Sequence, residues 1–199
     1  METMKIKICG LKRMEDIDYV NRYLPDYAGF VFAGKKRKIT FQQAKQFKQH
    51  LSKNILAVGV FVDEDISHIV SLVEDHVIDM VQLHGNEDHH YIHTLKQYIQ
   101  VPIIKAIKVI DEISLNQKYE ADYYLLDNCQ AGSGQCFDWS YIKKLDKPVF
   151  LAGGINLTNI DEALKQDVYA LDISSGAETN GMKDAKKIEE IVRRVRNER

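Results

Sequence analysis

The chain has 199 residues, 45% of them hydrophobic, which is enough for one large core near the upper end of single-domain size. Its 27 Lys and Arg against 29 Asp and Glu leave a net charge of −2, so no global basic field points to nucleic acid or to an anionic membrane. Three cysteines, an odd number without C-x-x-C spacing, argue against a disulfide framework or a structural zinc site and for a reducing compartment.

The opening METMKIKICG lacks the apolar core of a signal peptide, and no apolar run approaches membrane-spanning length; a cytoplasmic protein is expected. Short apolar runs then alternate with longer amphipathic ones. KIKIC (5–9) reads as a first strand and ends on Cys9. AGFVF (28–32) is followed by the basic loop KKRK (35–38), and TFQQAKQFKQHL has helical period, with Phe41, Ala44, Phe47, Lys48 and Leu51 on one side. LAVGVFV (56–62) precedes Asp63, and MVQLH (80–84) ends on His84. In NEDHHYIH, His89 and His93 stand at i,i+4. Without a third ligand pattern or H-E-x-x-H they read as a solvated helix face.

IIKAI (103–107) leads to Lys108, and YYLLD (123–127) ends on Asp127. Cys129 and Cys136 flank a glycine loop and take no role. VFLAG (149–153) runs into Gly153-Gly154, and ALDIS (170–174) carries Asp172 and leads into Ser175-Gly176. The last helix has an Ile188, Ile191, Val192, Val195 stripe. The strand runs are β-branched, aromatic and almost continuously apolar, as parallel strands covered on both faces are.

Eight strand-helix units with no Pro/Ser-rich linker predict a single (β/α)₈ barrel domain over 1–199. The alternative is an open doubly wound sheet, but the first βα turn, ICGLKRMED, lacks G-x-G-x-x-G. In a barrel, chemistry belongs at the C-terminal strand ends, and a phosphate site at the loops after strands seven and eight. Gly153, Gly154, Ser175 and Gly176 are therefore candidates to turn backbone N–H groups toward a phosphate. A plain turn is the alternative.

KICGLKRMEDI, GFVF with the following basic loop, VGVFVDE, VQLHGNED, LLD…GSGQCFDW, LAGGINLTNI and LDISSGAETNGMKD occur in that order along nearly the whole chain. As a set they resemble the phosphoribosylanthranilate isomerase family of tryptophan biosynthesis. The resemblance implies a (β/α)₈ barrel with neither metal nor organic cofactor. It implies an Amadori rearrangement of N-(5-phosphoribosyl)anthranilate, with a small phosphorylated substrate and no nucleic-acid or membrane partner, in a monomer or homodimer.

It also implies Cys9 as general base, Asp127 as general acid and Arg37 as the partner of the anthranilate carboxylate. The loop AGKKRKIT is one residue shorter than the family pattern, so Lys36 or Lys38 could share the role of Arg37. His84 and Asp172 are candidates for the ribose hydroxyls or for structural hydrogen bonds. Cys9 would need tuning toward thiolate, and Asp127 toward the protonated acid. Two other readings remain: an indole-glycerol-phosphate synthase, which would call for Lys and Glu at the strand ends, and a non-catalytic phosphosugar-binding barrel.

Overall fold

The structure, a computed structural model, describes residues 4–109, 118–128, 139, 142 and 145–197. Eight parallel strands close into a ring in sequence order. They are β1 (Lys5–Cys9), β2 (Tyr27–Val31), β3 (Leu56–Phe61), β4 (Met80–Leu83), β5 (Ile103–Val109), β6 (Tyr123–Asn128), β7 (Val149–Leu151) and β8 (Ala170–Ile173). The connecting helices are α1 (Met14–Tyr23), α2 (Phe41–His50), α3 (Ile66–Glu74), α4 (His89–Lys96), the short α5 (Ile160–Ala163) and the closing α6 (Ala185–Asn197). A two-stranded ribbon, β9 (Glu178–Thr179) with β10 (Met182–Lys183), folds over the mouth after β8. Cys129 and Cys136 lie outside the described residues. Among the described residues no helix is long and apolar enough to cross a membrane.

The strands stop one or two residues earlier than their apolar runs at several ends. β7 stops before Gly153 and Gly154, whose φ of +89° and +81° cannot continue a pleat. β5 instead runs on to Val109, because β6 extends beside it and pairs Lys108 with Asp127. Helix starts follow capping chemistry. Thr40 accepts from the Gln43 amide while the Gln43 side chain returns to the Thr40 amide, and Asp88 accepts from the Tyr91 amide.

Alternation within each strand assigns the two faces. On β1, Ile6 and Ile8 join the main cluster with Ile17, Val20, Ile188 and Ile191 of the helices. Lys7 and Cys9, of opposite parity, turn into the barrel. The floor of that interior is a second, separate cluster including Tyr27, Val58, Met80, Ile104, Leu125 and Phe150. Phe150 packs edge-on against Tyr27 and Tyr123, and the Tyr27 and Tyr169 hydroxyls meet at 2.6 Å. Above this plug sits a polar layer of Lys7, Gln82 and Asp172, and above that the open mouth.

Phe150 is fully buried among the rings of the plug, so truncating it leaves a cavity. Phe150→Ala should destabilise the fold by about 3–5 kcal/mol. Denaturant unfolding followed by far-UV circular dichroism would check this. A loss below about 1 kcal/mol would mean that the plug collapses around the gap.

Candidate active site

The loops at the C-terminal ends of the strands enclose a cavity of about 510 Å³, lined among others by Cys9, Arg37, Gln82, His84, Asp127, Gly153, Gly154, Asp172 and Ser175. A second cavity of about 400 Å³ adjoins it through Gly154 and Ser175 and is lined also by Asn156, Gly176 and Lys187. Eight of the nine candidate residues thus line one mouth, and Gly176 lines its side chamber. Lys36 lines the mouth too, whereas Lys38 lines a groove between α2 and α3. His89 stacks on Tyr119 and His93 pairs with Glu120 at 3.2 Å, both on the exposed side of α4.

Cys9 ends β1 and is 7% exposed. The neighbouring strand makes room for it at Gly29, where a Cβ would stand 2.7 Å from the sulfur. Two residues back on the same inward face, Lys7 is fully buried. Its ammonium donates to Gln82 Oε1 at 2.8 Å and to both Asp172 oxygens at 3.0 Å, and its charge acts on the Cys9 sulfur. Burial would push this lysine down, but Asp172 and Cys9 outweigh that and hold it above its ordinary value, so it stays charged.

The Cys9 thiol departs from the sequence-based expectation. Burial, the largest effect, pushes it up; Lys7 and Lys183 pull it down, Asp172 pushes it up further, and the net direction is up. At rest the site therefore holds a thiol. Asp172 is engaged by Lys7 below the mouth, so it is first a counter-ion in the barrel.

Asp127 is the next-to-last residue of β6, and its Oδ2 lies 3.2 Å from His84 Nε2. The other ring nitrogen, Nδ1, is met at 2.9 Å by Gln82 Nε2. A chain of polar contacts therefore runs Lys7, Gln82, His84, Asp127, with the charge of Lys7 acting on Cys9 at its start.

Arg37 crosses Gly10, where a Cβ would stand 2.3 Å from its Cδ. Gly10 has φ +84°, a second reason for glycine there. The guanidinium grips Glu178 with Nε at 2.7 Å and Nη2 at 2.9 Å. Lys183 adds a third bond to Glu178 at 2.9 Å and ties the loop after β8 by donating to the Ser174 carbonyl, also at 2.9 Å. Burial pushes the Glu178 carboxyl up, but Arg37 and Lys183 together overcome it and hold it at about 2.

Around the side chamber the loops after β7 and β8 approach closely. A Cβ on Gly176 would meet the Ile155 carbonyl oxygen at 2.0 Å. The Gly154 carbonyl accepts from the Asn156 and Asn159 side chains at 2.9 and 3.2 Å, which fixes the turn. The helix after Gly153-Gly154 is only four residues long, and the segment after β8 is a single 3₁₀ turn, Ser175–Ala177. Any anion there would rely on backbone N–H groups and Lys187 more than on a helix dipole.

A closed parallel barrel with its polar groups and glycine turns gathered at the C-terminal mouth is the architecture of a (β/α)₈ enzyme. The sequence model of the family "N-(5'phosphoribosyl)anthranilate (PRA) isomerase" matches residues 6–194. The chain belongs to that family. N-(5'-phosphoribosyl)anthranilate isomerase of Endomicrobium trichonymphae is 52% identical over 198 residues, covering 97% of this chain and 98% of that one. The Clostridium kluyveri protein of that name is 45% identical over 202 residues, with 98% of each covered.

The crystal structure of phosphoribosyl anthranilate isomerase from Thermus thermophilus superposes with TM-score 0.87 at 31% identity, covering 98% of this chain and all of that one. Another such isomerase, solved with reduced 1-(o-carboxyphenylamino)-1-deoxyribulose 5-phosphate, superposes with TM-score 0.84 at 29% identity, covering 97% of this chain and 98% of its own.

Sequence reasoning missed Lys7, Gln82, Glu178 and Lys183. Lys7 and Gln82 carried a signal: each interrupts an apolar strand at the same parity as a candidate residue, Cys9 or His84. Glu178 and Lys183 sit on a ribbon that no periodicity announces.

The Glu178 pairing makes a pH-dependent forecast. A carboxyl held low in the fold contributes stability that is full above about pH 4.3, its ordinary value, and is lost as pH falls through about 2. Glu178→Gln should therefore cost about 3 kcal/mol near pH 7, and the gap to the parent should close between about pH 4.3 and 2. Paired denaturant melts across that range decide it; a gap that stays constant would mean the carboxylate charge contributes nothing.

Proposed function

We propose that the chain isomerises N-(5'-phosphoribosyl)anthranilate to 1-(2-carboxyphenylamino)-1-deoxyribulose 5-phosphate, with Asp127 as general acid and Cys9 as general base. The observation that carries the residue roles is that both groups line one cavity from strand ends three places apart around the ring, with the glycine loops between them. That spacing leaves room for a sugar between acid and base while its phosphate lies against Gly154, Ser175 and Gly176.

The steps balance with these two groups alone. Asp127 gives its proton to the furanose ring oxygen as the C1′–O bond breaks, and the nitrogen lone pair forms a C1′=N iminium. Cys9, as thiolate, takes the C2′ proton. The C–H electrons become a C1′=C2′ bond and the iminium electrons return to nitrogen. The enolamine then gains a proton at C1′ and loses one from the C2′ hydroxyl, giving the ketone. The substrate's own nitrogen is the electron sink.

Before these steps the Cys9 thiol gives its proton to water in the open mouth, and the thiolate, disfavoured by burial, is held by the ammonium of Lys7. Arg37 uses Nε and Nη2 on Glu178, and the other edge of its fork suits the flat anthranilate carboxylate. A cytoplasmic location and a monomeric or dimeric state belong to the same proposal.

Cys9→Ser and Asp127→Asn test the assignment. Each substitution is close to isosteric, and each should lower kcat by about 10²–10⁴-fold while KM changes little. Turnover is followed by the fluorescence change of the anthranilate group, with melting temperature measured on the same preparations. A destabilised but fully active Cys9→Ser protein, or an Asp127→Asn protein within twofold of the parent, overturns the corresponding role.

A further inference from the structure

The polar chain beneath the mouth has a direction. A lysine ammonium has three donors and no acceptor, so the Gln82 atom 2.8 Å from Lys7 must be the carbonyl oxygen. That places the Gln82 amide nitrogen, a donor only, 2.9 Å from His84 Nδ1. Nδ1 must then be the bare, accepting nitrogen, and the ring proton sits on Nε2. Nε2–H stands 3.2 Å from Asp127 Oδ2, at ion-pair distance. Each link is forced by the one before, and Lys7, fixed by Asp172 inside the barrel, is the origin.

We propose that Gln82, oriented by Lys7, is a positioning residue that holds His84 in its Nε2–H tautomer and thereby keeps the acid proton of Asp127 on Oδ1, available to the substrate. The inference rests on Asp127 being the general acid. In the opposite tautomer, a bare Nε2 would accept a hydrogen bond from the Asp127 hydroxyl and draw its proton toward the ring. In a doubly protonated ring, the charge would hold Asp127 as carboxylate with no proton to give. Only the Nε2–H tautomer turns a hydrogen toward Oδ2 and so favours the proton on the other oxygen. His84 here touches Asp127 and Gln82 with its two nitrogens and acts through the acid.

The test reads the tautomer and the rate separately. In protein labelled with ¹⁵N-histidine, long-range proton–nitrogen correlation assigns the His84 ring, with His84→Asn identifying its signals. The expected result is protonated Nε2 and bare Nδ1; a protonated Nδ1 in the parent protein overturns the proposal. Gln82→Glu keeps size and can still accept from Lys7 but cannot donate, so Nδ1 should become protonated. Its kcat should fall at least about tenfold while KM moves less than about threefold. A protonated Nδ1 with unchanged kcat overturns the proposal as well.

Gln82→Met supplies a variant without the added buried charge. It should show mixed tautomers and a smaller loss of kcat, with melting temperature recorded alongside; a single Nε2–H tautomer in that protein also overturns the proposal. Failure of the acid assignment looks different: Asp127→Asn stays active while the His84 tautomer in the parent remains as stated.

Discussion

Lys7 puts a full positive charge inside a barrel, and the mouth is arranged around that constraint. Taking an ammonium out of water costs several kcal/mol, and only close acceptors offset it. Its hydrogens go to the Asp172 carboxylate and the Gln82 carbonyl oxygen, and the Cys9 sulfur lies within reach of its charge. These groups come from β8, β4 and β1, so one charge acts on side chains of three strands. The ladder pairs Lys7 with Asp172, which makes their contact a consequence of strand order. Losing either partner would leave the other buried and unpaired, the costly way to break an ion pair.

The layer below explains why that charge can direct anything. The aromatic plug around Phe150, Tyr27 and Tyr169 closes the barrel floor. The dielectric around Lys7 is lowered, and each hydrogen bond in the polar layer is strengthened. Above the layer, side chains are placed by close approaches that only glycine permits: Gly29 under Cys9, Gly10 under Arg37 and Gly176 against the Ile155 carbonyl. A buried aromatic floor and a glycine-lined rim give the mouth side chains on one side and backbone on the other.

The eight strands were legible because burial on both faces writes an apolar run, and the residues ending those runs marked the mouth. Cys9, His84, Asp127 and the two glycine loops could be picked out for that reason. The polar layer was not legible, because Lys7 and Gln82 look like lapses within otherwise apolar strands until closure of the ring brings β1, β4 and β8 together. The partner of Arg37 was hidden for another reason. Glu178 lies 141 positions away on a two-residue strand, and only the ribbon's fold over the mouth makes the contact. The direction in which the fold moves Cys9 was not legible, because the sequence shows which charges exist and not how much water they lose. Burial proved the larger effect.

That balance at Cys9 sets a conflict that the site must resolve in its working state. The burial that positions the sulfur also disfavours the thiolate, and a phosphorylated ligand would add negative charge nearby. Lys7 and Lys183 oppose both effects, but Lys183 is itself pushed below its ordinary value by burial and shares its charge with Glu178. Lys7 is held above its ordinary value and has no route to solvent. Of the two cations, Lys7 is therefore the one whose charge is assured while the sulfur ionises. The same ammonium starts the chain of polar contacts toward Asp127, so the groups proposed to take and give protons in this mouth share one fixed charge as their reference.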